Sequence, residues 1–250
     1  MKKEKKQDIV KLSKSQGGRR YHGLDKHSLV EKPLISIITV VFNGGMTLED
    51  TILSVLEQSY SNIEYIIIDG GSTDDTLDII QKYDVEIDFW VSEGDEGIYD
   101  AMNKGIELAS GDYIGILNSD DFFSNPQVVK KIVERFVAEK VDAVFSQLDI
   151  VDPNNFLRIL RKYRVKRLSV FMLRIGLMPA HPTFYCRKSC YQKLGETPYR
   201  TDYLIASDFE LLLRLLLTQK ISWSYIAETM VIMRAGGISS NNIKSRVILN

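Results

Sequence analysis

Cysteine is scarce in this 250-residue chain, which has only Cys186 and Cys190. Their spacing fits neither a disulfide framework, a zinc site nor a CxxC redox motif, so a reducing compartment is the expected setting. The chain has no run of about 18 apolar residues that could span a membrane. Its charged N-terminus lacks the apolar core of a signal peptide. We therefore expect a cytoplasmic protein.

Charge is nearly balanced over the whole chain but unevenly distributed along it. The formal net charge is −1, so we expect no nucleic-acid partner. Residues 1–32 hold ten Lys and Arg against four acids, a surplus of +6 that leaves −7 for the remainder. This polar segment predicts a basic, flexible N-terminal arm, either a solvated tail or a contact for anionic lipid.

The first half of the chain alternates between two kinds of apolar pattern. Four nearly continuous apolar runs predict buried strands over 34–42, 64–69, 87–91 and 113–117. Apolar residues at helical spacing lie between them, and the third helix is predicted over 98–109. Such alternation predicts an α/β fold with a mostly parallel central sheet and helices on both faces.

The second half is less regular. The pattern predicts helices over 126–138, 187–194 and 209–217, and strands over 143–150, 156–165, 184–186, 222–226 and 229–234. We expect one domain over 33–240, with a boundary between its halves at 123/124, followed by a C-terminal tail over 241–250.

A Gly-rich turn follows the second predicted strand. Asp69, Gly70, Gly71 and Ser72 stand between this strand and the next helix. Glycines let a ligand approach the backbone closely, and a helix N-terminus favours an anion. The turn is neither GxGxxG nor a P-loop. Its sequence alone also fits a structural turn with a helix cap.

Carboxylates mark two further points. Asp120 and Asp121 end an apolar strand, where a sheet edge can hold Mg²⁺ or Mn²⁺ beside phosphates. Asp208 precedes a nearly all-apolar helix, which would hold its carboxylate rigidly. A loop or a helix cap is the plain alternative at each point.

Together these motifs resemble family 2 glycosyltransferases, which have the GT-A fold. The resemblance spans residues 34–239 and is carried by six segments in the family's order: 36–43, 68–75, 97–105, 117–121, 207–214 and 236–239. The segment Gly-Ile-Tyr-Asp-Ala-Met-Asn-Lys-Gly over 97–105 resembles a subgroup that assembles capsule, exopolysaccharide, colanic acid and lipopolysaccharide.

The resemblance implies an inverting transfer from a nucleotide sugar, usually a UDP-sugar, to an acceptor hydroxyl, with Mn²⁺ or Mg²⁺ as cofactor. Residues 33–123 would form the nucleotide-sugar half and residues 124–240 the acceptor half. Asp208 would be the catalytic base, Asp120 would bind the metal with Asp121 as a second candidate, and His181 and Arg234 would meet the acceptor or diphosphate. The implied nucleotide-sugar contacts are Thr39, Val41, Asn43, Asp69, Gly70, Ser72, Glu93, Asn103, Asn118, Ser119 and Asp120.

Two positions depart from the family pattern. Gly70 stands where the family often has a second Asp that reads the base, and we expect Asp69 or Glu93 to compensate. Asn118 replaces the first Asp of the DxD motif, so we expect weak metal affinity without nucleotide.

The basic, apolar stretch 158–177 suits a polyprenyl-diphosphate-linked or glycan acceptor at the cytoplasmic membrane surface. An ordinary core helix with a charged outer face is the alternative.

Two other functions stay open from the residues. A sugar-phosphate nucleotidyltransferase also uses Asp residues that bind a metal in an α/β fold. The Gly-rich basic loop expected for that class is missing after the first strand. A catalytically inactive nucleotide-sugar-binding homologue would keep the fold. The missing dinucleotide fingerprint argues against an NAD enzyme.

Overall fold

The computed structural model describes residues 15–236. Ten strands lie in this part of the chain: β1 Ser15–Gly17, β2 Ile35–Val41, β3 Ile63–Asp69, β4 Phe89–Ser92, β5 Tyr113–Ile116, β6 Asp121–Phe123, β7 Ala143–Asp152, β8 Asn155–Tyr163, β9 Tyr185–Arg187 and β10 Trp223–Arg234. The α-helices are α1 Leu48–Leu56, α2 Thr76–Lys82, α3 Ile98–Leu108, α4 Val128–Glu139, α5 Val170–Arg174, α6 Lys188–Gln192 and α7 Ser207–Leu213.

The strands form one sheet in the order β1-β4-β3-β2-β5-β9-β7-β10-β6, with β8 paired to β7. Strand β2 runs parallel to β3 and β5, β3 is parallel to β4, and β7 is parallel to β10. Strands β1, β6, β8 and β9 pair antiparallel. The mostly parallel sheet predicted from the alternating pattern is confirmed.

The core lies on both faces of the sheet, because successive side chains of a strand point to opposite faces. Ile35 and Ile37 of β2 pack on one face with helices α1, α2 and α4. Ile38 and Val40 pack on the other face with α3, α6 and α7. Cys186 and Cys190 are both free and buried in this second layer. In residues 15–236 no helix is long and apolar enough to cross a membrane.

The N-terminal arm is shorter than predicted. Residues 1–14 lie outside the described residues, but residues 15–32 pack onto the sheet: β1 pairs with β4. Arg20 donates to Glu64 at 3.2 Å, and Lys26 donates to Asp88 at 2.8 Å. The prediction of a flexible arm over 1–32 is therefore wrong for 15–32, because this segment supplies cations to two acids that are buried in the sheet.

The second half also differs from the sequence prediction in three places. The strands predicted over 222–226 and 229–234 are one strand, β10, with two register shifts against β7. Strand β6 was not predicted, and it pairs with the end of β10. Helix α7 begins at Ser207 and continues as a π-helical turn over Arg214–Thr218. The predicted tail over 241–250 lies outside the described residues.

Candidate active site

The carboxyl ends of four neighbouring parallel strands define one edge of the sheet. The loops 42–47, 70–75, 93–97 and 117–121 follow β2, β3, β4 and β5 at that edge. Ligands of open α/β sheets bind at such edges. The structure therefore places the Gly-rich turn and the acidic loop that the sequence singled out side by side.

Hydrogen bonds tie the loops after β2 and β3 together. The Asn43 N–H donates to Ser72 Oγ at 2.7 Å, and the Thr73 N–H donates to Asn43 Oδ1 at 2.9 Å. Asn43 has a φ of 52°, in the left-handed region that Asn tolerates. Two predicted site residues, Asn43 and Ser72, therefore lie together as one wall of the edge.

Asp69 supports this wall through buried hydrogen bonds. Its carboxylate is fully buried and accepts hydrogen bonds from Ser72 Oγ at 2.5 Å and Ser92 Oγ at 2.6 Å. The Ser72 N–H donates to the same carboxylate at 3.1 Å. Both oxygens of Asp69 are thus engaged by the protein, which makes it a support of the 70–75 loop.

Two predicted contacts have partners inside the protein, and a third is apolar and buried. Thr39 is fully buried and its hydroxyl lies 3.1 Å from Tyr65 Oη, so the structure gives this residue a partner inside the core, and its nucleoside contact stays a prediction. Val41 is buried at the end of β2. The Glu93 carboxylate pairs with Lys104 at 3.4 Å, which draws it towards α3.

The acidic loop after β5 is held from two sides. Thr51 Oγ1 of α1 shares its proton between the carbonyls of Ser119 at 3.0 Å and Asp121 at 2.7 Å. Arg234 of β10 donates to the Asp120 carbonyl at 2.8 Å. The loop also touches the one after β2, since a Cβ on Gly44 would lie 3.3 Å from Ser119 Oγ. Asn118, Ser119 and Asp120 are therefore brought to the same edge.

Burial dominates the electrostatics of this loop. It raises the pKa of Asp120, although the nearby Arg234 opposes the shift. Burial and the neighbouring charge of Asp120 raise the pKa of Asp121 well above that of an exposed aspartate. Within the described chain, Asn118 Oδ1 and Asp121 Oδ1 are buried without a hydrogen-bond donor. These unsatisfied oxygens fit a site that gains positive charge from a bound cation.

Protein side chains alone do not complete a metal site. Among residues 15–236 no three His, Cys, Asp or Glu side chains converge in a group that could hold a metal ion. A cation at Asp120 would have to take other ligands from a diphosphate or water, as Mg²⁺ commonly does.

Asp208 lies in the first turn of α7, next to aromatic residues. Ala206, with a φ of 73°, precedes the helix. Asp208 Oδ1 accepts from the Phe209 N–H of the first turn at 2.9 Å, so the helix-cap alternative for Asp208 stays open beside the catalytic one. The Ser207 N–H donates to Tyr99 Oη at 3.2 Å. Burial raises the pKa of Tyr99 to about 12, and the charge of Asp208 adds to this shift. Tyr99 lies in the first turn of α3, directly after the 93–97 loop, so Asp208 stands beside the sheet edge.

His181 also lies near Asp208. Its Nε2 is 2.8 Å from Tyr199 Oη in a hydrogen bond. Burial lowers the pKa of His181, and the charge of Asp208 opposes that shift. His181 therefore belongs to the surroundings of the candidate base, and its contact with the acceptor stays a prediction.

Asn103 and Arg234 have structural partners. Both amide atoms of Asn103 bind the main chain of Tyr199, at 2.7 and 2.8 Å, and the residue is buried. Arg234 is 6% exposed, its guanidinium lies over the neighbouring rings of Phe122 and Phe156, and it pairs with Asp50. These polar groups are already used inside the protein, and the direct ligand contacts stay predictions. Residues 237–239 of the last segment that carries the family resemblance lie outside the described residues.

Sequence reasoning missed two residues at this edge. Thr51 lies on the inner face of α1, and nothing in the helical pattern separates it from an ordinary small core residue. Asp95 lies over Gly70, where a Cβ on Gly70 would come within 2.6 Å of Asp95 Oδ2. The signal for Asp95 was the missing side chain at position 70, which leaves space for a neighbour.

Comparisons with known proteins agree with this architecture. Rv1514c of Mycobacterium tuberculosis (strain ATCC 25618 / H37Rv), an uncharacterized glycosyltransferase, is 36% identical over 193 residues, which are 74% of this chain and 70% of that protein. A PGL/p-HBAD biosynthesis glycosyltransferase of Mycobacterium bovis (strain BCG / Pasteur 1173P2) is 25% identical over 220 residues, 87% of this chain and 83% of that protein.

A solved structure shows the same fold. The crystal structure of S. aureus TarS 1-349 in complex with UDP-GlcNAc has a TM-score of 0.68 at 16% identity, over 84% of this chain and 61% of that one. The chain thus spans about three fifths of that structure. The Glycosyl transferase family 2 model matches residues 36–195. The chain therefore belongs to glycosyl transferase family 2 and is a glycosyltransferase with a GT-A fold.

Proposed function

We propose that this glycosyltransferase moves a sugar from a nucleotide sugar to an acceptor hydroxyl, with inversion at the anomeric carbon. A UDP-sugar is the expected donor, since the structural neighbour TarS was solved with UDP-GlcNAc. The observation that carries the proposal is the meeting of the Asp120 loop with the Asn43–Ser72 wall at one sheet edge.

The loops on the two sides of the edge would bind different parts of the donor. The 43–45 and 70–75 loops offer a close backbone surface for the nucleoside, next to the N-terminus of α2. Asp120 lies on the other side, where the diphosphate would be held. A divalent cation, Mn²⁺ or Mg²⁺, would bind Asp120 there, and Mn²⁺ is present in a structural neighbour, a mannosyltransferase from Pyrobaculum calidifontis with a TM-score of 0.60. When bound, the cation supplies charge that stabilises the leaving diphosphate.

Asp208 is the proposed base. As the acceptor oxygen attacks the anomeric carbon, Asp208 takes the hydroxyl proton, and the bond from that carbon to the diphosphate oxygen breaks. Attack opposite to the leaving group inverts the anomeric carbon in one step. Support comes from the place of Asp208 beside Tyr99 and His181, at a helix start that fixes its position.

The acceptor side suggests a lipid-linked or polysaccharide intermediate of cell-surface glycan assembly. Between residues 153 and 195 the chain has ten Lys and Arg and no acid. Strand β8 projects with exposed side chains, among them Leu157 at 95% exposure, Arg161 and Lys162. Phe171 and Ile175 of the following segment are also exposed. Cations beside exposed apolar groups suit a polyprenyl diphosphate and the cytoplasmic face of a membrane.

Calorimetric titration of UDP with and without Mn²⁺ tests the donor and metal assignment. We expect the parent to bind UDP more tightly with Mn²⁺, and Asp120→Ala to lose most of that gain. Glu134→Gln, an exposed acid on α4, is the matched control and should bind like the parent. If Mn²⁺ has no effect on UDP affinity in the folded parent, the metal assignment is wrong. Tight binding without any sugar transfer would favour an inactive binding homologue.

A further inference from the structure

At the sheet edge, the Asp95 side chain fills the space beside Gly70. A Cβ on Gly70 would lie 2.6 Å from Asp95 Oδ2, closer than real Cβ atoms approach other atoms, and 3.1 Å from Asp95 Cγ. The backbones also meet here, since a Cβ on Gly71 would lie 3.3 Å from the Gly94 nitrogen. The Asp95 carboxylate therefore occupies the space into which any side chain at position 70 would project.

The 93–97 loop presents one oxygen of Asp95 at this point. Asp95 Oδ1 accepts from the Gly97 N–H at 2.9 Å, which fixes the carboxylate orientation. Lys104 anchors the loop through Glu93 at 3.4 Å and donates to the Gly94 carbonyl at 3.4 Å. In the part of the chain that the structure describes, Oδ2 accepts no hydrogen bond. Its acceptor capacity is left for a ligand at the edge.

The two carboxylates expected to compensate for Gly70 are engaged elsewhere. Asp69 accepts from Ser72 and Ser92 below the loop. Glu93 pairs with Lys104. Asp95 is half-buried, and burial raises its pKa, with the charges of Asp100 and Asp69 adding to the shift and Lys104 opposing it. A donor group on a ligand would restore the hydrogen bonding that burial removes.

We infer that Asp95 Oδ2 accepts a hydrogen bond from the nucleobase of the donor and selects a base with an N–H at that position, as uracil has. The inference rests on the proposed function, since it assigns a residue to the same donor site. Uracil carries a proton on N3, whereas cytosine presents a bare N3 acceptor that a carboxylate repels. UDP and CDP share their ribose and diphosphate, so the ratio of their affinities isolates this contact.

Titrations of UDP and CDP, each with Mn²⁺, test the contact directly. We expect the parent to prefer UDP by about tenfold or more, because a charged acceptor left without its donor is costly. In Asp95→Asn the amide can donate to N3 of cytosine, so UDP affinity should fall and CDP affinity should rise. Asp78→Asn, an exposed Asp on α2, should leave the ratio unchanged.

An exchange of the two side chains is the sharper test. Gly70→Asp alone should weaken UDP binding at least about tenfold, because its carboxylate crowds and repels Asp95. The double variant Gly70→Asp, Asp95→Gly returns one carboxylate to the same space and should recover the preference for UDP. Thermal unfolding of each variant identifies any that fail to fold.

The outcomes separate the two claims. An unchanged ratio of UDP to CDP affinity in folded Asp95→Asn overturns the inference and leaves the proposed function standing. Equal losses for UDP and CDP mean a ribose contact and also overturn it. If the folded parent binds no nucleoside diphosphate, the proposed function fails and the inference fails with it.

Discussion

Arg234 holds Asp120 in place through the main chain. Its guanidinium donates to the Asp120 carbonyl at 2.8 Å across 114 residues of sequence, and it is 6% exposed. The rings of Phe122 and Phe156 contact each other and lie beside the guanidinium, with ring centroids 5.0 and 4.8 Å from its carbon. The last described strand therefore positions the loop that carries the candidate diphosphate carboxylate.

Arg234→Ala should destabilise the protein and weaken Mn²⁺-dependent UDP binding together. The loss leaves the Asp120 carbonyl without its donor, and we expect the free energy of unfolding to fall by about 2 kcal/mol. Urea unfolding and UDP titration measure the two effects. Arg200→Ala, which removes an exposed Arg paired with Asp202, is the control. A destabilised variant that binds UDP as tightly as the parent would contradict the positioning role.

Asn103→Ala separates a structural role from a ligand contact. It leaves the buried N–H and carbonyl of Tyr199 without partners, so we expect a loss of about 3 kcal/mol in the free energy of unfolding. UDP affinity should stay within about twofold of the parent, while transfer slows because Tyr199 and His181 flank Asp208. Asn154→Ala in the exposed β7–β8 turn is the control. A large loss of UDP affinity in the folded variant would restore Asn103 as a nucleotide contact.

Lys26→Met tests whether residues 15–32 belong to the fold. Burial raises the pKa of Asp88, and the hydrogen bond from Lys26 lowers it. Without Lys26 this pKa rises further, so folded Asp88 keeps its proton to higher pH than unfolded Asp88, which ionises near pH 4.

The deficit in unfolding free energy relative to the parent should therefore be small below about pH 4 and grow to about 2 kcal/mol by pH 7. Urea unfolding across this range measures it, with Lys130→Met on the exposed side of α4 as control. A deficit that does not depend on pH would mean that Lys26 does not stabilise the charged form of Asp88.

The proposed membrane contact through β8 predicts that binding to vesicles depends on lipid charge. The parent should sediment with vesicles that contain phosphatidylglycerol and remain in solution with pure phosphatidylcholine vesicles. Each Lys or Arg near an anionic surface contributes about 1 kcal/mol, so Arg161→Gln with Lys162→Gln should lower binding about 30-fold. The control removes two exposed cations near α4, through Lys130→Gln and Lys140→Gln. Equal binding of both double variants would place the contact elsewhere.

The first half of the fold could be read from the sequence because its strands carry their own signal. Every residue of β2 and of β3 is buried, and a continuous apolar run is the pattern that such strands require. Strand β6 carries no such signal. It has three residues, and its partners Val231, Ile232 and Met233 lie about 110 positions later.

Polar residues of the candidate site were harder to assign, because one sequence does not reveal their partners. Thr39 and Asn103 both look like ligand contacts in the motifs, yet they bind Tyr65 and the main chain of Tyr199. Glu64 stands in an otherwise apolar strand, and this position could have predicted a cationic partner, since a buried acid needs one. Arg20 in the N-terminal segment is one such partner, because it donates a hydrogen bond to Glu64.

The central claim is that Asp208 is the base of a sugar transfer whose donor binds at the edge of β2, β3 and β5. The most direct measurement is the rate of UDP release from a UDP-sugar in the presence of a polyprenyl-diphosphate-linked sugar, for the parent and Asp208→Asn. We predict a rate about 10³-fold lower in the variant, with UDP affinity within about twofold of the parent. A variant that transfers at the parental rate, or that loses UDP binding together with transfer, would contradict the account.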